Sequence, residues 1–89
     1  KILNHTCSSY LRIEVKDRHG VLSSITNIFA KSKISIKNLL QVPDKKNKKA
    51  TVIIITHETL EKNFNNLLSN LYKNKFVLKK PIFIRIEKI

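Results

Sequence analysis

Twice in 89 residues the hydrophobic period switches from two to between three and four, and that double switch constrains the fold more than any other feature. From Tyr10 to Lys16, the apolar Leu11, Ile13 and Val15 alternate with Tyr10, Arg12, Glu14 and Lys16, the pattern of a strand with one buried face. Asp17-Arg18-His19-Gly20 then supplies turn chemistry. From Val21 the spacing changes, and Val21, Leu22, Ile25, Ile28 and Phe29 predict an amphipathic helix to about Lys33. The second switch runs from Ala50–Thr56, an almost continuously apolar central strand, to a helix predicted from about Thr59. Leu60, Phe64, Leu67, Leu68 and Leu71 form the stripe of that helix, with His57 and Glu58 placed at its start.

Between and after these units lie two further extended segments. Ile34 to Pro43 begins with alternation and loses it at Asn38-Leu39-Leu40, which predicts a bulge or bend. Asp44 to Lys49 reads as a charged hairpin loop. The chain closes with Phe76 to Leu78, a Lys79-Lys80-Pro81 break, and Ile82, Ile84 and Ile86 alternating with Phe83, Arg85 and Glu87.

The order is therefore βαββαβ. Two helices of this length cannot cover both faces of a four-stranded sheet, so both pack on one side. The expected fold is an α+β, ferredoxin-like sandwich: a four-stranded antiparallel sheet of order 4-1-3-2 with two helices on one face. The other face is expected to carry Ile53, Ile55 and Phe83, too apolar for water, so that a partner domain or a second copy covers it.

Length and charge narrow the function. A chain of 10.3 kDa holds one two-layer core and excludes a dinucleotide-binding domain or a TIM barrel. Methionine is absent and the first residue is Lys1, from which we expect a piece of a longer protein, with residues 1–8 a linker from an upstream catalytic region and 9–89 the domain. The net charge of +12 points towards nucleic acid or an anionic membrane. However, only three of the 18 cations are Arg, the residue that reads bases and phosphates bidentately. Fifteen Lys, thirteen Ile and nine Asn together match an AT-rich codon bias. The strand Ala50–Thr56 also lacks the aromatics on which RNA-binding modules of this architecture stack bases. No partner nucleic acid or membrane is expected. The lone Cys7 forms no internal disulfide, and no apolar run is long enough to span a bilayer, in keeping with a cytoplasmic protein.

No catalytic or metal set is found. His5, His19 and His57 lie in separate segments without a spaced Cys or carboxylate, and Asp17 and His19, two apart in a turn, are expected to point in different directions. The informative segment is Asp17 to Leu22, where a helix N-terminus offers unpaired N–H groups suited to a carboxylate, and Asp17 can accept hydrogen bonds from an ammonium group. Together they match an amino acid zwitterion. The simpler use of Asp17 is to cap the helix, with Gly20 allowing the turn.

Leu11 to Leu22, with its D-R-x-G-V-L element, resembles the opening of an ACT domain, a small regulatory module of amino-acid metabolism, and Ile25 to Phe29 and Ile34 to Ile36 continue the likeness. Ile53 to Thr59 and Lys80 to Glu87 are similar to the C-terminal ACT domain of bacterial homoserine dehydrogenases. The resemblance implies a non-catalytic fragment without a cofactor of its own, attached to an NAD(P)-dependent oxidoreductase of threonine and methionine biosynthesis. It implies a homodimer in which two copies pair side by side, and an amino acid, threonine, bound between the first loop of one copy and the second strand of the other. By position, Asp17, His19, Gly20, Val21 and Leu22 form one wall and Ser35 and Ile36 the other. His19 stands where the family usually has Pro, and Ser35 where several amino-acid-binding relatives have Asn. Two alternatives remain beside this reading: an ACT domain that assembles without a ligand, and a basic ferredoxin-like nucleic-acid binder.

Overall fold

In the computed structural model, which describes residues 6–86, seven elements follow one another: β1 (Thr6–Lys16), α1 (Val21–Lys31), β2 (Ile36–Asp44), β3 (Lys49–Thr56), β4 (Thr59–Leu60), α2 (Glu61–Lys73) and β5 (Ile82–Ile86). The expected linker residues 1–5, His5 and Glu87 lie outside the described residues, whereas Thr6, Cys7 and Ser8 lie within β1. The long strands are ordered β5-β1-β3-β2 and are antiparallel throughout, the predicted arrangement with β5 as the fourth strand. The two-residue β4 is an addition. It follows β3 after two residues and pairs with Thr6 and Cys7 at the start of β1.

Alternation along the strands builds the core. Leu11, Ile13 and Val15 of β1 and Ala50, Val52 and Ile54 of β3 are buried against Val21, Ile25 and Phe29 of α1 and Phe64, Leu67 and Leu71 of α2. Burying each of the larger side chains stabilises the fold by about 1.5–3 kcal/mol. The expected irregularity of β2 is a register shift between Ile36 and Asn38.

Two expectations are corrected. His57 and Glu58 do not start a helix; they connect β3 to β4, and α2 begins at Glu61, which places its own carboxylate in the first turn. Phe83 does not lie on the open face. Register pairs it with Leu11, so it turns towards the helices, where its ring centroid lies 5.2 Å from that of Phe64. Arg85 follows it to that side and bonds Glu61 through Nε at 3.1 Å. The strand's three isoleucines are therefore left outside, with Ile84 53% and Ile82 51% exposed.

Two buried polar groups behave differently. The Ser9 amide donates to Thr56 Oγ1 at 3.1 Å, while the buried Ser9 hydroxyl has no hydrogen-bond partner. Thr56→Val should cost about 1–3 kcal/mol in urea denaturation by orphaning the amide, whereas Ser9→Ala should be neutral or stabilising. At the β2–β3 turn, Asn47 Nδ2 donates to Asp44 Oδ2 at 2.9 Å, and this bond leads the influences that hold the Asp44 carboxyl below its ordinary pKa. A folded pKa lowered in this way favours the native state above the unfolded value, and that contribution is lost as pH falls through the folded one. Asn47→Ala should raise the Asp44 pKa towards the usual carboxylate range, as read by NMR titration.

Candidate functional site

The loop between β1 and α1 is held from two sides. The Lys16 amide donates to the Phe76 carbonyl at 2.9 Å and the Asp17 amide to the Lys48 carbonyl at 3.0 Å, so three connections meet at this end of the sheet. On the α2–β5 side, Asn74 ties the packing together: its Nδ2 donates to Ser24 Oγ at 2.8 Å and its Oδ1 accepts from the Phe76 amide at 2.9 Å.

Gly20 is the N-cap of α1, at φ +82°, where L side chains are strained. No side chain caps this helix and no acidic residue lies in its first turn. The capping use of Asp17 is therefore not adopted. The Val21 amide is taken by the Arg18 carbonyl at 3.3 Å, which leaves the amides of Leu22 and Ser23 as first-turn donors without a side-chain acceptor. Val21 is buried in the core and Leu22 packs against it, so these two anchor the loop and offer a ligand only their backbone.

Asp17 and His19 line one cleft of about 610 Å³ together with Lys16, Arg18, Lys75 and Phe76. The structure thus gathers two residues that the turn pattern separates, although no hydrogen bond joins them. Lys16, Lys75 and Phe76 went unnoticed in the sequence, because Lys75 and Phe76 are brought in from 55 residues or more along the chain. Lys75 Nζ lies 5.3 Å from the Phe76 ring centroid. Among the described residues, no carboxylate forms an ion pair with Lys16, Arg18 or Lys75.

Ser35 and Ile36 lie elsewhere. They line a cleft of about 460 Å³ at the far end of α1, with Thr26, Ala30 and Lys33. The segment is set by Lys33 at φ 63°, by the Ile34 amide donating to the Phe29 carbonyl at 3.0 Å, and by the Ser35 carbonyl accepting from the His57 amide at 3.0 Å. Gly20 opens a third depression of about 520 Å³ along the outer flank of α1 with Ser23, Thr26, Asn27 and Ala30. Thr26 and Ala30 belong to both depressions, so one flank of small residues runs from Gly20 to Ser35. Helical spacing opposite Val21, Ile25 and Phe29 was a readable signal for that flank. One copy therefore does not bring the loop residues and the β2 residues into a single pocket. No group of three or more metal-ligating side chains occurs among the described residues.

These features match known proteins. The model of the ACT domain family matches residues 9–75. The chain belongs to the ACT domain family. It is 40% identical over 81 residues to homoserine dehydrogenase of Helicobacter pylori, covering 91% of this chain and 19% of that protein. To homoserine dehydrogenase of Bacillus subtilis it is 37% identical over 79 residues, covering 88% of this chain and 18% of that protein. The crystal structure of a homoserine dehydrogenase from Thiobacillus denitrificans superposes with a TM-score of 0.82 at 35% identity, covering 97% of this chain and 19% of that one. The ACT domain from GTP pyrophosphokinase of Chlorobium tepidum superposes at 0.69 with 18% identity over 92% of this chain and all of that one, a likeness of fold alone. The chain thus spans about a fifth of the length of the homoserine dehydrogenases it matches. No helix among the described residues is long and apolar enough to cross a membrane.

Because an added Cβ at Gly20 meets nothing within 4 Å, its substitution tests the backbone alone. Gly20→Ala should destabilise the ACT domain by about 1–2 kcal/mol through the left-handed φ, read by chemical denaturation.

Proposed function

We propose that this ACT domain is the C-terminal regulatory domain of an NAD(P)-dependent homoserine dehydrogenase, a cytoplasmic enzyme of threonine and methionine biosynthesis, and that it senses threonine. The observation that carries the reading is the α1 N-terminus at Gly20, uncapped and next to Asp17, in a chain whose relatives are homoserine dehydrogenases. In this reading residues 1–8 lead from the catalytic part, and the domain supplies no catalytic group and binds no cofactor. Two copies pair along the outer edges of β2, the end strand of the sheet, and extend it. The ligand lies at the junction, between the first loop of one copy and β2 of the other.

The chemistry follows from the donors and acceptors. The threonine carboxylate takes the first-turn amides of α1 at the positive end of the helix dipole. The Asp17 carboxylate accepts from the ammonium group. The partner's Ser35 offers a hydroxyl to the threonine hydroxyl, and the partner's Ile36 meets its methyl group. His19 and Gly20 shape the loop, with Val21 and Leu22 holding it to the core. Because the wall residues lie far apart in one copy, a ligand that needs both favours the paired arrangement, and the catalytic domains respond to that population shift.

Calorimetry with millimolar threonine should give binding heat and a rise in Tm, with serine and methionine weaker. Absence of both effects refutes sensing. Asp17→Ala should weaken threonine by about ten-fold or more, the worth of a hydrogen bond to a charged group, while leaving the pairing intact. Unaltered threonine affinity in that variant would refute the ammonium role of Asp17. A second reading, assembly without an effector, is favoured by the apolar open face of the sheet; it predicts association insensitive to every amino acid in the same experiment.

A further inference from the structure

The register of β5 leaves an apolar surface that the edge-to-edge pairing does not cover. On the side of the sheet away from the helices stand Ile82, Ile84 and Ile86 of β5, Ile53 and Ile55 of β3, and Leu40 and Val42 of β2. Five of these seven are large side chains that remain about two-fifths or more exposed. The central strand adds Tyr10, Arg12 and Glu14 to the same face.

We propose that this face docks on the same face of a second copy, the two sheets stacking about a twofold axis. Three observations select an identical copy as the occupant. The first is charge: in a chain of net charge +12, the rows level with Tyr10 and Arg12 across the four long strands hold Arg12 as their one charged residue; Glu14 beyond them is paired with Lys79 Nζ at 3.7 Å, and Lys37, His57 and Glu58 border the other end beside Ser8 and Ile86. In those two rows a second copy brings few like charges together, and a strongly charged partner finds little to bind. The second is size. Four strands about 4.8 Å apart and seven residues long give roughly 450 Å² per copy in plan, or about 900 Å² for two, close to the roughly 1,000 Å² at which specific interfaces begin.

The third is self-complementarity. Tyr10 is level with Ile55 and Ile84, and Arg12 with Ile53 and Ile82. An axis crossing β1 at the level of Leu11 therefore sets each row over the other: Ile84 over the partner's Ile82, Ile55 over the partner's Ile53, and Arg12 over the partner's Tyr10. Aligned sheets stack about 10 Å apart, within the joint reach of Arg and Tyr side chains, and the guanidinium meets the ring as a cation–π pair. The contact is isologous, as twofold symmetry demands.

The proposal does not rest on threonine binding or on pairing through β2. It is tested by sedimentation equilibrium of the 89-residue chain with three variants. Ile84→Lys places a charge in the apolar area at an exposed position, and should weaken self-association by about ten-fold or more with Tm of the monomer unchanged. Arg12→Glu should weaken it similarly, and the double variant Tyr10→Arg, Arg12→Glu, which restores opposite charge across the axis, should recover most of it. A wild-type chain that stays monomeric at hundreds of micromolar overturns the proposal. So does a double variant that fails to recover association. An association unchanged in all three variants also overturns it while leaving edge pairing intact, because β3 separates β1 from the free edge of β2.

Discussion

β1 carries hydrogen-bonded neighbours along both of its edges, β3 on one and β5 on the other, with the two-residue β4 against its first residues, and every other part of the domain is placed relative to it. Its inward residues are fully buried beneath both helices, and its eleven residues span the sheet from end to end. Where β1 stops, the loop to α1 must start. The two amides at that point, Lys16 and Asp17, are taken by carbonyls of the α2–β5 connection and the β2–β3 hairpin. The position of Asp17, His19 and Gly20 is thus a consequence of strand pairing rather than of the loop's own sequence. A loop pinned at its root on both sides presents its remaining donors and acceptors in a fixed relation, which is what the proposed zwitterion site requires.

The same constraint explains where the charge sits. Lys16 pairs with Lys49 in the β1–β3 ladder, Lys48 receives the Asp17 amide on its carbonyl, and Lys75 joins Lys16 in the cleft. Cations from three distant stretches therefore meet at one end of the sheet, while Glu58 and Glu61 lie with β4 and the start of α2 near the other end. The net charge of the whole chain conceals this polarity. It conceals equally the sparse charge at the middle of the open face, where Arg12 stands among isoleucines and Glu14 is paired with Lys79. Local charge therefore differs from the total, with the single acid Asp17 set among Lys16, Arg18 and Lys75 at the loop.

ACT membership and the open sheet face bear on each other. A ferredoxin-like layer with helices on one side only has a second side to settle. In this chain β5 turns its aromatic and its arginine inward, towards Phe64 and Glu61, and its isoleucines outward. A strand that faced water permanently on that side would be expected to reverse that choice. The proposed pairing through β2 would lengthen the sheet without covering it, so the two proposed modes of association use separate surfaces and are compatible in one assembly.

Much of this was legible in the residues themselves. The alternation of Leu11, Ile13 and Val15, the helical spacing of Val21, Ile25 and Phe29, and the need for a glycine at position 20 are local properties, and local sterics and side-chain period decide them. They determined the βαββαβ order, the sheet arrangement, the buried set and the resemblance to the ACT family. Tertiary structure alone decided the rest. Alternation in Ile82–Ile86 says that two faces differ but not which one points inward; pairing of Phe83 with Leu11 decided that, because a one-residue change of register exchanges the faces. The cap of α1 was open to Asp17 in the sequence and closed to it by the ladder bonds that hold its backbone. Lys75 and Phe76 reached the cleft only because β1 pairs with the segment after α2, a contact between residues 60 positions apart that no local pattern encodes.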